Sequence, residues 1–79
     1  MTEQKLLWKS GNGRWEIYSF INPYGVLRIM VVDDRTGYCD YPIMYDDGGI
    51  AYDFPERIPN YVREKVRKIM WEMRENGLK

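Results

Sequence analysis

Catalysis needs groups that attack, move protons or hold ions, and this chain is poor in all three. It has no histidine and a single cysteine, Cys39. A nucleophilic serine, threonine or cysteine must sit beside a base that activates it. Ser10 and Ser19 fall at ordinary strand positions, and Cys39 has no basic neighbour in the sequence, so it reads as a structural cysteine. The common zinc-ligand sets cannot be assembled from this composition.

The acidic pairs Asp33-Asp34 and Asp46-Asp47 fall on two turns with one strand between them. A simple meander puts those turns at opposite ends of the strand, which argues against a two-carboxylate or two-metal centre. Asp46-Asp47-Gly48-Gly49 lacks the alternating ligands and closing glutamate of a calcium loop, and turn chemistry accounts for its residues. Gly11-Asn12-Gly13-Arg14 is too short for a phosphate loop and leads into a strand rather than a helix. The expectation is no enzyme, no metal and no cofactor.

Binding chemistry is better represented. Trp71 lies about 180° round a helical wheel from Val62, among Glu64, Arg67 and Glu75. A large aromatic on a charged helix face is either covered by another segment or is a contact residue. Tryptophan and arginine are the types that dominate interface hot spots. Arg63, Arg67, Lys68 and Arg74 make the same segment basic. A second candidate surface comes from strand alternation, which leaves Tyr18, Phe20, Arg28, Met30, Tyr38 and Met44 on the face away from the helix if the odd-numbered set meets it. A free sheet face so apolar is unusual for a monomer. The bland alternative is scattered side chains separated by Arg14, Glu16 and Asp40.

The elements that position these residues are marked by turn signals. Asn12-Gly13 is a favoured two-residue hairpin pair, in which both positions take positive φ. Asn22-Pro23-Tyr24-Gly25 fits a type I turn, with proline preset at its second position. Asp33 to Gly37 suits a type I turn closed by a left-handed glycine, and Asp46 to Gly49 makes a second acidic turn. Between the turns, apolar residues alternate with period two. The spacing predicts strands over about 5–10, 14–21, 26–33, 38–45 and 50–54, with Lys5 and Lys9 discouraging edge pairing. Tight turns join antiparallel neighbours. Pro42, having no N–H, needs an edge or a bulge, so the fifth strand need not pair fully.

Beyond residue 58 the period changes. Ile58, Val62, Val66, Ile69, Met70 and Met73 form one helical stripe, with Pro59 suited to the first turn and Gly77 to the stop. The expected fold is α+β, an antiparallel meander of four to five strands followed by one amphipathic helix over about 59–76 on one sheet face. That element order is similar to the one in single-stranded-DNA-binding transcriptional coactivators, a likeness of fold alone.

Seventy-nine residues suit one domain with a thin core. Small scaffolds compensate with disulfides, metals or partners; a disulfide within one chain and the common zinc sets are excluded here, which leaves oligomerisation or a core rich in large side chains. The three tryptophans, seven tyrosines and two phenylalanines bury much area per residue. Net charge is zero but uneven: residues 33–56 carry net −6 and residues 57–79 net +4. Such a field either closes on itself or orients a charged partner. One cysteine, no signal pattern and no long apolar run suit a soluble cytoplasmic protein. The residue usage leans towards that of thermophiles.

The reading that follows is a non-catalytic protein-interaction module of inhibitor or adaptor type, such as viruses and mobile elements encode. It would self-associate as a homodimer or bind another protein through Trp71, Arg67, Arg63, Arg74, Tyr18, Phe20, Arg28, Met30 and Tyr38. The alternative is single-stranded nucleic-acid binding by the sheet aromatics and the basic helix.

Overall fold

A computed structural model describes residues 4–75. Strands β1 (Lys5–Lys9), β2 (Trp15–Ile21), β3 (Leu27–Asp33) and β4 (Tyr38–Asp40) form an antiparallel sheet in that spatial order. Strands β5 (Ile43–Met44) and β6 (Ile50–Ala51) pair only with each other. A 3-10 turn at Pro55–Arg57 leads into helix α1 (Asn60–Glu75). The class is α+β with a meander, as the alternation and turns predict. The expected helix stop at Gly77 lies outside the described residues.

The turns use asparagine and aspartate as local acceptors. Asn12 Oδ1 accepts the Ser10 hydroxyl at 2.6 Å and the Arg14 N–H at 3.0 Å. Only Gly13 takes a positive φ here, so the Asn12-Gly13 pair is not the two-residue turn expected; the loop closes with a left-handed glycine alone. Asn22 Oδ1 accepts the N–H groups of Tyr24 and Val26, both at 2.9 Å, and sets the second hairpin.

Loop length sets which side chains share a face. Ile17↔Val31 and Ser19↔Ile29 put the odd-numbered residues of β2 and β3 on one face. Asp33 pairs with Tyr38, leaving four residues between them, so parity flips and the even-numbered Tyr38 and Asp40 join that face. In β1 a bulge at Leu7 lets Leu7 and Trp8 both pack towards the core.

The core lies between this face and α1. Trp15, Ile17, Ile29 and Val31 meet Ile58, Val62 and Val66, all at most 2% exposed. Ile69, Met70 and Met73 flank it, so the stripe read from the sequence is the buried stripe. Pro59 supplies the first acceptor of the helix, its carbonyl taking the Val62 N–H at 3.1 Å and the Arg63 N–H at 3.0 Å.

Asp40 is fully buried and satisfied. Its carboxylate accepts the Tyr38 hydroxyl at 2.6 Å and the N–H groups of Asp53 at 3.1 Å and Phe54 at 3.3 Å. One buried acid thereby ties β4 to the chain leaving β6, which is how such a group avoids its desolvation cost. Asp33 is held likewise by Nε and Nη2 of Arg14, each at 2.9 Å, by Thr36 Oγ1 and by the Arg35 N–H. Chiefly the Arg14 bonds lower its pKa to about 2.

Candidate functional site

Two surfaces gather the residues with binding chemistry. The first is the sheet face away from α1. The pairs Leu6↔Tyr18, Tyr18↔Met30, Phe20↔Arg28 and Val32↔Cys39 all lie on it. Tyr41, just past β4, packs edge-on against Phe20 with ring centroids 5.9 Å apart. Met30 is only 7% exposed, while Leu6 and Tyr41 stay 47% and 43% exposed. Polar groups sit towards the two ends. Glu16 accepts the Tyr18 hydroxyl at 2.9 Å and pairs with Lys9 at 3.4 Å. That bond from Glu16 raises the Tyr18 pKa. At the other end Arg28 donates to the Tyr41 carbonyl at 3.3 Å. The helix, Ile50 of β6 and Tyr52 just past it belong to the core on the opposite face.

The second surface is an open cleft of about 820 Å³ between the β5–β6 turn and the outer side of α1. Arg63, Arg67 and Trp71 line it with Asn60, Tyr52 and Gly48. Trp71 is 38% exposed. One edge of its ring lies against Gly48, where a Cβ would stand 2.4 Å from indole Cζ2. Gly48 also has a φ of +90°, so the turn needs glycine for conformation and for space. Arg74 holds its guanidinium 5.3 Å from the indole centroid and donates to the Asp46 carbonyl at 2.9 Å. Arg63 donates to Asn60 Oδ1 and to the Pro55 carbonyl. Burial pushes the Tyr52 hydroxyl up to about 12, against the pull of Arg63 and Arg67. Arg67 makes no ion pair among the described residues.

Of the residues singled out in the sequence, Tyr18, Phe20, Arg28 and Met30 share the free sheet face. Arg63, Arg67 and Trp71 share the cleft, and Arg74 borders Trp71. Tyr38 does not belong with the first group. The parity flip at the β3–β4 loop turns its ring inward against the core, and burial and the bond to Asp40 raise its pKa. Met44 also leaves the free face, because the chain turns away at Pro42 to pair β5 with β6. Sequence reasoning missed Leu6 and Tyr41 on the free face. The bulge at Leu7 carries no local signal, whereas Tyr41 follows directly once the flipped parity of β4 is known.

The hydroxyl of Ser10 is used by its turn, donating to Asn12 and accepting the Trp15 N–H at 3.0 Å. Among the described residues, no three histidine, cysteine or acidic side chains converge as a metal site, and no helix is long and apolar enough to cross a membrane. Comparison with family models, curated proteins and solved structures gives no match.

Proposed function

We propose that this protein is a small non-catalytic interaction module, of inhibitor or adaptor type, that self-associates through the sheet face away from α1. One observation carries the reading: Leu6, Tyr18, Phe20, Met30, Val32 and Tyr41 lie together on one face while α1 is committed to the other. Burying such a face is favourable by about 25 cal/mol per Å².

The polar ends suit a two-fold partner. Glu16 and Phe20 are four residues apart along β2, roughly 13 Å at strand rise. Arg28, opposite Phe20, therefore lies at the far end from Glu16. A two-fold axis between stacked faces and perpendicular to the strands sets the Arg28 end of one copy over the Glu16 end of the other. An isologous interface of that kind needs no other partner.

The size of the patch sets the strength. Four strands spaced about 4.8 Å, the longest two of seven residues, give a face of at most roughly 19 by 23 Å. That is below the roughly 800 Å² per partner of a standard stable interface, so the dimer belongs in the micromolar range. Light scattering after size exclusion should give about twice the 9.5 kDa chain mass at tens to hundreds of micromolar. Phe20→Glu should return the monomer without unfolding it. A wild-type monomer at several hundred micromolar would defeat the proposal. Submicromolar binding to single-stranded oligonucleotides, with affinity falling steeply in salt at about −0.7 per phosphate contact, would move the assignment to nucleic acid.

A further inference from the structure

A third concavity lies off both surfaces, and the break in strand 4 creates it. Pro42 has no N–H to continue the β3–β4 ladder, which ends at Val31↔Asp40. The chain then swings away so that Ile43 pairs with Ala51. Among the described residues no strand pairs with the first half of β3 on that side, and the last turns of α1 line the gap. The result is an open groove of about 440 Å³, a volume within the range of ligand-binding clefts. Its wall is apolar and adaptable: Leu27, Pro42, Ile43, Met44, Met70 and Met73. Three of these six are methionines, the side chain best able to repack around an irregular guest. Ile43 is 50% exposed and Val26, at the lip, 48%.

The rim is basic. Arg28 and Arg74 border the groove, and Asp46 is the one acidic residue lining it among the described residues. Both guanidinium groups bond neutral acceptors: Arg28 the Tyr41 carbonyl, Arg74 the Asp46 carbonyl and Met44 Sδ at 3.7 Å. The ion pairs found among the described residues are Lys9–Glu16 and Arg14–Asp33, so neither rim arginine has a carboxylate partner there. The backbone adds a third element. The Asp33 carbonyl points away from β2 to accept the Gly37 N–H, and strand alternation turns Leu27 the same way, where no strand pairs with it.

We infer that this groove binds an extended acidic–apolar segment of a partner protein. Large apolar side chains would enter the methionine-lined cavity, flanking carboxylates would pair with Arg28 and Arg74, and the backbone would run along the open edge of β3 at Leu27. Strand addition with side-chain pockets is an established mode of peptide capture. The carboxylates supply orientation and discrimination more than raw affinity. This site is separate from the self-association face, sharing only Arg28 with it.

The test uses a fluorescein-labelled ten-residue peptide that alternates leucine and phenylalanine with glutamate, read by anisotropy against the full chain. A matched peptide has lysine for every glutamate. The glutamate peptide should bind with Kd on the order of tens of micromolar. The lysine peptide should be at least about fivefold weaker, since two exposed ion pairs are replaced by repulsion. Arg74→Glu should reverse that preference, and Met73→Lys should abolish binding of both. Neither Arg74 nor Met73 lies on the self-association face, so the effects of these two variants do not depend on dimer formation; Arg28 is shared with that face. Amide chemical shifts should move at Leu27, Met44 and Met73 in the wild type, which reports the site even where a variant loses stability. Equal affinity for the two peptides overturns the inference. So do shifts confined to Tyr18, Phe20 and Val32, or shifts at Leu27 and Met73 that appear on raising protein concentration without peptide, which would make the occupant a second copy.

Discussion

Replacing Gly48 with alanine tests whether the β5–β6 turn is the cover of Trp71. The new methyl group would stand 2.4 Å from indole Cζ2 and 3.2 Å from Cη2. Carbon atoms pack at about 3.5–4.0 Å, so the indole must retreat by roughly 1 Å. Forced repacking of that kind costs about 1–3 kcal/mol. The φ of +90° adds a separate cost of about 1–2 kcal/mol, because alanine is strained there and glycine is not. Gly48→Ala alone should therefore lose about 2–5 kcal/mol. In a Trp71→Ala background the clash disappears and only the backbone strain of about 1–2 kcal/mol remains. Urea unfolding followed by circular dichroism on the four proteins gives the coupling energy, expected at about 1–3 kcal/mol. If Gly48→Ala costs the same in both backgrounds, to within about 0.5 kcal/mol, the indole does not rest on this turn. Trp71 would then be an open contact residue, and the cleft would lose one wall.

Three further outcomes follow from the fold. Asp33, with its carboxyl pKa lowered to about 2 from 3.8, stabilises the folded state fully above pH 4 and progressively less as pH falls towards 2. Discounted for solvent at Arg14, which is 35% exposed, the loss should be roughly 1–2 kcal/mol. Asp33→Asn should flatten that part of the stability–pH curve, and an unchanged slope would remove Asp33 as its cause. Asp40→Ala leaves the Tyr38 hydroxyl and the N–H groups of Asp53 and Phe54 without their acceptor, so it should destabilise by about 2–5 kcal/mol in chemical denaturation. A near-neutral result would show that water replaces the carboxylate. In the helix, Val66→Ala and Ile69→Ala should each cost roughly 1–4 kcal/mol, with the fully buried Val66 the better measure of the core.

Much of the fold was legible because it rests on local chemistry. Asn22-Pro23-Tyr24-Gly25 and the Asp33–Gly37 loop each carry their turn signal in consecutive residues. The stripe from Ile58 to Met73 repeats with the helical period, so it identifies the buried side of α1 directly. The phase of β4 was not legible. A loop of four residues rather than three or five decides whether Tyr38 or Cys39 faces the helix, and the same aspartate and glycine signals permit each length. Hence alternation alone places Tyr38 on the free face, whereas its hydroxyl donates to the buried Asp40 on the other. Pro42 did announce a break, though not that β5 would leave the sheet and pair with β6. The candidate surfaces divide in the same way. Tyr18, Phe20, Arg28 and Met30 follow from alternation on two long strands. The cover on Trp71 comes from Gly48, twenty-three residues away in the chain, and no local pattern encodes a contact of that kind.

Self-association through the free sheet face is the central claim, and the native cysteine reports on it without any substitution. Cys39 is exposed and pairs with Val32 on that face. Its alkylation rate with iodoacetamide in fixed excess, read by mass spectrometry, should fall severalfold as protein rises from about 1 µM to about 500 µM, the range that spans a micromolar dimer. Phe20→Glu should hold the fast rate throughout. A wild-type rate that stays constant over that range would contradict the account, because the face carrying Cys39 would then remain open to solvent at every concentration.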